Sequence, residues 1–106
     1  MLKEKVLSML GLARRAGKLS MGHDMAEQAV KKGKAKVILF CSDVSPRLID
    51  EFQKKEEIKN KKIPVIKTNI TMNEIHYSVG YKAGVITVDD ENFSKRIVTL
   101  SEQEEI

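Results

Sequence analysis

Five consecutive apolar residues, at positions 37–41, place the strongest constraint on how this chain folds. A half-buried strand alternates apolar and polar side chains, so an unbroken apolar run indicates a strand buried on both faces. Further strands are predicted at residues 63–66 and 85–88, with helical patterns between them. We therefore expect an α/β fold, a three-layer α/β/α sandwich whose mixed central sheet is mostly parallel and joined by right-handed crossovers.

Several helix ends can be predicted from the sequence. Apolar residues at positions 2, 6, 9, 10 and 13 mark one face of a helix that should end near Gly17. A short segment, residues 19–21, leads to Gly22, where a second helix begins and runs to Gly33. N-cap signals precede three later helices: Ser45 with Pro46, Thr71 with Glu74, and Asp89 or Asp90.

The chain has 106 residues, of which 42% are hydrophobic, enough for one core. We expect a single domain at residues 1–100 and a frayed acidic tail at residues 101–106. The sequence has no apolar run of the roughly 20 residues that a membrane span needs, and its single cysteine forms no internal disulfide. A cytoplasmic protein is expected.

Charge is distributed unevenly along the chain. Residues 1–67 hold 16 Lys or Arg against 8 Asp or Glu, and residues 68–106 hold 3 against 7. A basic surface on a small domain is typical of proteins that bind a polyanion, because neutralised phosphates release counterions. Lysines that only keep the protein soluble would give the same composition.

Catalytic or cofactor chemistry is not indicated. Neither Gly17 nor Gly22 belongs to a nucleotide-binding glycine pattern. The two histidines, His23 and His76, lie far apart in the sequence, so no metal site is predicted. Cys41 ends a buried apolar strand, where a cysteine usually behaves as a small hydrophobic residue. We predict no enzyme activity, cofactor or metal.

The second helix carries a polar outer stripe of Asp24, Gln28, Lys31 and Lys32, opposite its apolar side. Gly22 would let another backbone approach the free amides at the helix start, where a phosphate or sugar oxygen could bind. A solvated helix face that follows a glycine turn explains the same pattern.

Residues 15–37 contain Arg-Ala-Gly-Lys-Leu, then Gly22, then Ala-Val-Lys-Lys-Gly-Lys-Ala-Lys-Val, and three further motifs follow in consistent order. Between residues 2 and 100 the chain resembles the large-subunit ribosomal protein 7Ae/30e family, in particular its short bacterial branch, whose members start with a segment like residues 15–37. Residues 41–46 resemble the family's A-E-D-x-x-P turn, residues 62–65 its x-I-P-V strand, and residues 78–80 the end of its E-L-G-x-A-x-G helix.

The resemblance implies an α/β/α fold that binds kink-turns, which are RNA helices bent at a bulge beside tandem G·A pairs. The start of the second helix would contact the G·A pairs, the loop before the last strand would enclose the flipped-out base, and lysines would hold phosphates. The predicted RNA-binding residues are Lys18, Gly22, His23, Asp24, Met25, Gln28, Lys31, Lys32, Lys36, Val79, Gly80, Tyr81, Lys82 and Ala83.

The resemblance further implies a role in ribosome biogenesis or translation, with structured RNA as partner, ribosomal RNA included. No DNA specificity, membrane contact or second subunit is expected. The best-known members read Gly-x-Asn-Glu-x-x-Lys, whereas this chain has Asp24, Met25 and Gln28 at the last three specified positions. The alternative is a protein-interaction adaptor on the same fold, which we would expect to be acidic.

Overall fold

A computed structural model describes residues 2–104 and 106, apart from the side chain of Lys61. Its helices and strands alternate along much of the chain, in the following order: α1 (Leu2–Arg15), β1 (Leu19–Met21), α2 (His23–Lys31), β2 (Val37–Phe40), α3 (Pro46–Gln53), α4 (Glu56–Lys61), β3 (Val65–Lys67), α5 (Met72–Val79), β4 (Val85–Val88) and α6 (Glu91–Gln103). Within the described residues, no helix is both long and apolar enough to cross a membrane.

The four strands form one mixed sheet in the order β1-β4-β2-β3. β4 pairs antiparallel with both β1 and β2, and only β2 and β3 are parallel. The α/β/α fold with a mixed sheet is confirmed, but parallel pairing does not predominate as expected. An unbroken apolar run indicates that both faces of a strand are buried. It does not indicate whether the neighbouring strand is parallel or antiparallel. The short segment before Gly22 is itself a strand, β1.

Helices cover both faces of the sheet. One core lies between the sheet and α1, α5 and α6, and the other lies between the sheet and α2, α3 and α4. In β2, Val37 and Leu39 belong to the first core, and Ile38 and Phe40 to the second. This alternation explains why the apolar run in β2 has no polar interruption.

Local signals in the sequence fix most helix starts. Ser45 caps α3 by accepting a hydrogen bond from the Leu48 amide, and Thr71 and Glu74 form the predicted capping box of α5. Asp90, rather than Asp89, caps α6. α4 was not predicted from the sequence, and β3 begins two residues later than expected.

The predicted frayed tail is ordered where the structure describes it. α6 continues to Gln103, and Ile106 is 3% exposed in the core with α1, α5 and α6. The Ile106 carbonyl also accepts a hydrogen bond from the Asn69 amide at 2.6 Å. Burial of the Ile106 side chain favours packing of the segment against the core, although most of its other residues are polar or acidic. Met1 of the predicted domain and Glu105 of the predicted tail lie outside the described residues.

His23, the first residue of α2, joins this helix to α3. Its Nε2 is hydrogen-bonded to the Glu51 carboxylate, and its ring packs edge-on against Phe52 with the centroids 5.5 Å apart. Its Nδ1 lies 3.3 Å from an Asp24 carboxylate oxygen. The hydrogen bonds with Glu51 and Asp24 raise the pKa of His23 above its usual value.

Because the pKa of His23 is higher in the folded protein, its protonated form stabilises the fold. This stabilisation is fully present below the pKa of an unfolded histidine, about 6.5, and is lost as the pH rises through the folded pKa. We predict that the free energy of unfolding falls more for wild type than for His23→Gln between about pH 6 and about pH 8. Urea unfolding at several pH values would measure both curves.

His76→Gln makes the same chemical change at an exposed position on α5 and is the matched control. The difference between the two variants isolates the contribution of the contacts that His23 makes. If the curve of His23→Gln runs parallel to that of wild type, the contact with Glu51 does not contribute to stability in this pH range.

Candidate nucleic-acid interface

The pairing of β1 with β4 brings the two predicted RNA-binding elements to one end of the sheet. Met21 lies opposite Ile86, and the Gly22 amide donates a hydrogen bond to the Val85 carbonyl at 2.9 Å. The start of α2 follows Gly22 directly. The α5–β4 loop, residues 80–84, ends at Val85. Two segments about 60 residues apart in the sequence therefore lie side by side.

Gly22 has φ 91° and ψ 165°, a backbone conformation that residues other than glycine rarely adopt. A Cβ atom built there would meet nothing within 4 Å, so the space above the residue is open. α2 has no side-chain cap at its start. Both features suit the close approach of another backbone. A substitution of Gly22 would strain the fold as well, so it cannot test binding alone.

The outer stripe of α2 divides into two flanks. Towards β1, Met25, Gln28 and Lys32 line a groove of about 460 Å³ together with Lys18. Lys34 and Asp89 complete the charged side chains around this groove. Asp89 accepts hydrogen bonds from the Ser20 hydroxyl at 2.6 Å and the Thr87 hydroxyl at 2.8 Å. Three lysines and one carboxylate leave the groove positively charged, as a phosphate site requires.

The opposite flank of α2, towards α3 and α4, carries its charges in pairs. The Lys31 ammonium lies 3.5 Å from the Glu27 carboxylate, and the ammonium of Lys55, just before α4, lies 2.9 Å from the same carboxylate. Lys55 has the larger effect, and together the two lysines hold the pKa of Glu27 below its usual value. His23 is bonded to Glu51 on the same flank. His23 and Lys31 are therefore less available to an external anion than Lys18 and Lys32.

The ligand atoms of His23, Glu27 and Glu51 lie within 4.8 Å of one another, which makes this the one group in the described residues that could hold a metal ion. This group was not predicted from the sequence, because Glu51 lies on another helix, α3. Lys55 already supplies positive charge beside Glu27, and the three side chains are partly or well exposed. The described contacts satisfy the charges of the group without a metal.

Lys36 does not line the groove that contains Lys18 and Lys32. It precedes β2 at the Val88 end of the sheet, where its amide donates to the Val88 carbonyl. It lines a separate groove with Pro64 and residues of α6, including Lys95. The structure brings Lys18, Met25, Gln28 and Lys32 together and leaves Lys36 outside this surface.

The loop after α5 is held at both ends and exposed in the middle. At its start, the guanidinium of Arg14 donates a hydrogen bond to the Val79 carbonyl at 3.0 Å. At its end, the Cys41 thiol donates to the Ala83 carbonyl at 3.4 Å. Between these points, Gly80, Tyr81 and Lys82 are exposed, whereas Val79 and Ala83 are buried. Of the five predicted residues in this segment, only these three are exposed to a ligand.

Cys41 has the structural role that the sequence predicts. It is buried, and this burial raises the pKa of its thiol to about 12. A thiol with this pKa stays protonated near neutral pH and is a poor nucleophile.

Sequence reasoning missed Arg14, Lys34 and Asp89. Lys34 belongs to the basic run 31–36, so its place in the groove had a signal in composition. Arg14 had none, because its contact with Val79 joins residues 65 positions apart. Asp89 was predicted only as a possible helix cap.

Several known proteins are similar to this chain in sequence or in fold. The chain is 27% identical over 104 residues to RNA-binding protein YlxQ from Enterococcus faecium, with 94% of each chain covered. A solved structure of a protein of unknown function from Bacillus halodurans has a TM-score of 0.82 and 27% identity, covering 92% of this chain and 97% of that one. The 15.5kD RNA binding protein of Giardia lamblia shares the fold, with a TM-score of 0.72, 16% identity, and 96% and 88% of the chains covered.

A family model matches residues 4–98 of the chain. It spans all six helices and all four strands, from the body of α1 to the second half of α6. The chain therefore belongs to the ribosomal protein L7Ae/L30e/S12e/Gadd45 family.

Proposed function

We propose that this protein binds a kink-turn or a related structured RNA. The observation that carries the proposal is the hydrogen bond from the Gly22 amide to the Val85 carbonyl. It joins the start of α2 to the end of the α5–β4 loop, so that one RNA could contact both. Proteins read RNA mainly at unpaired or splayed bases, and a kink-turn offers such a base beside non-standard pairs.

The charge pattern divides this surface into two parts. Lys18, Lys32 and Lys34 have no ion-pair partner among the described residues, so their charges are free to hold phosphates. In the first turn of α2, the exposed residues Asp24 and Met25 follow Gly22 and are placed to contact bases. In nucleic-acid recognition, phosphate contacts usually position the protein, and base contacts read the sequence.

The relatives support this proposal, since two of the three similar proteins are named as RNA-binding. We propose a cytoplasmic role in ribosome biogenesis or translation, as a monomer and without catalytic activity or a cofactor. An adaptor that binds only protein is the competing function. Absence of any RNA affinity at low salt would favour the adaptor.

The first test removes one charge from the groove. We predict that Lys32→Gln weakens binding to different structured RNAs by a similar factor and lowers the slope of log K against log salt by about 1, because one phosphate contact is lost. Filter-binding titrations at several salt concentrations would give both slopes.

Lys95→Gln is the control, because Lys95 is an exposed lysine on α6, across the sheet from α2, and its charge is already paired with Glu91 at 3.8 Å. Its salt slope should equal that of wild type. An unchanged slope for Lys32→Gln would place Lys32 outside the interface.

The second test concerns the three motif positions that differ from the best-known members. Asp24 accepts but does not donate hydrogen bonds, Met25 does neither, and Gln28 has no charge to hold a phosphate. We predict that Asp24→Asn, Met25→Glu and Gln28→Lys together tighten binding to a standard kink-turn. The penalty for disrupting its G·A pairs should rise by about 1–3 kcal/mol, the size of one good base contact.

Gel-shift titrations of both proteins, on intact and G·A-disrupted RNA at one salt concentration, would measure this penalty. All three residues are exposed, so the substitutions leave the core unchanged. Equal discrimination by wild type and the triple variant would mean that other residues read the G·A pairs.

A further inference from the structure

Arg14 links the first helix to the predicted base-binding loop. It lies in the last turn of α1, and its guanidinium donates a hydrogen bond to the carbonyl of Val79, the last residue of α5. Carbonyls at the end of a helix have no partner within the helix, and a cation suits the helix dipole there. The contact therefore fixes the point at which the loop leaves α5.

The same guanidinium lies over the aromatic ring of Tyr81, with its central carbon 5.7 Å from the ring centroid. This distance is within the range of a cation–π contact. Tyr81 is still 49% exposed. The arginine thus restrains the ring while leaving about half of the side chain accessible to a ligand.

Gly80, between these two contacts, allows the arginine to lie so close. The residue adopts the left-handed conformation, with φ 89°, and caps α5. A Cβ atom at this position would lie 3.2 Å from the Arg14 nitrogen that bonds to Val79. The absence of a side chain at Gly80 therefore permits Arg14 to reach both the carbonyl and the ring.

We propose that Arg14 is a positioning residue, which holds Tyr81 as a platform on which an unpaired RNA base stacks. The proposal rests on the proposed function and deepens it, since it names the residue that orients the loop. A ring held in one orientation loses less conformational entropy when a base stacks on it. Arg14 acts through Tyr81, so its removal should affect recognition of the base more than attraction of the RNA backbone.

The experiment compares two RNAs, a kink-turn with its flipped-out base and the same RNA with an abasic site at that nucleotide. We expect wild type to bind the first at least about fivefold more tightly, since stacking on an aromatic side chain is worth that much or more. Arg14→Gln should reduce this ratio about threefold or more, the size of one cation–π contact. Arg14→Lys, which keeps the charge but lacks the planar guanidinium, should reduce the ratio with overall affinity closer to wild type.

Arg15→Gln is the matched control, because it removes the same charge from the neighbouring exposed position. It should weaken binding to both RNAs equally and leave their ratio unchanged. Thermal unfolding would show whether each variant is folded at the assay temperature. If Arg14→Gln is not folded, Arg14→Lys provides the test.

The outcomes separate the two proposals. If wild type prefers the RNA with the base and both Arg14 variants keep the full ratio, the role of Arg14 is overturned while the proposed function stands. If wild type binds both RNAs equally, the loop does not read a base, and the inference fails although RNA binding remains. If wild type binds neither RNA, both proposals are overturned.

Discussion

The antiparallel pairing of β4 with β1 and β2 is the constraint on which the candidate interface depends. Because β4 runs opposite to both neighbours, its first residue, Val85, lies beside the ends of β1 and β2. The turn into α2 therefore meets the α5–β4 loop at one end of the sheet. The same arrangement places the Cys41 thiol, just after β2, within reach of the Ala83 carbonyl. A parallel β4 would have put its preceding loop at the opposite end.

Polar contacts also fix the opposite end of β4, where the lysine groove lies. Inside the sheet, Ser20 and Thr87 lie opposite each other on β1 and β4, and both hydroxyls donate to Asp89. Thr87 is fully buried, so its hydrogen bond avoids the cost of an unpaired polar group. Asp89 is thereby fixed beside the lysine groove. The loop is restrained in the same way, by a hydrogen bond at each end, so both halves of the surface are set before any ligand arrives.

The two flanks of α2 differ in how far their charges are paired. On the flank towards α3 and α4, Glu27 and Glu51 neutralise their basic neighbours. On the flank towards β1, the lysines of the groove outnumber the one carboxylate. The chain has a net charge of +4, but the net charge does not show which part of the surface would attract an anion. If the protein binds a polyanion as proposed, the unpaired charges on the β1 flank attract it more strongly than the paired charges on the other flank.

The sequence by itself determined the layers, the capped helix starts and the family, because periodicity, capping residues and short motifs are local properties of the chain. It also identified both halves of the candidate interface through the resemblance. Strand direction, the helix α4, the burial of Ile106 and the separation of Lys36 were decided only by tertiary structure. The contacts of Arg14 belong to this second group, since they join α1 to a loop 65 residues away. A pattern of neighbouring residues records how each segment is buried, but the partner that a side chain meets depends on how the segments are brought together.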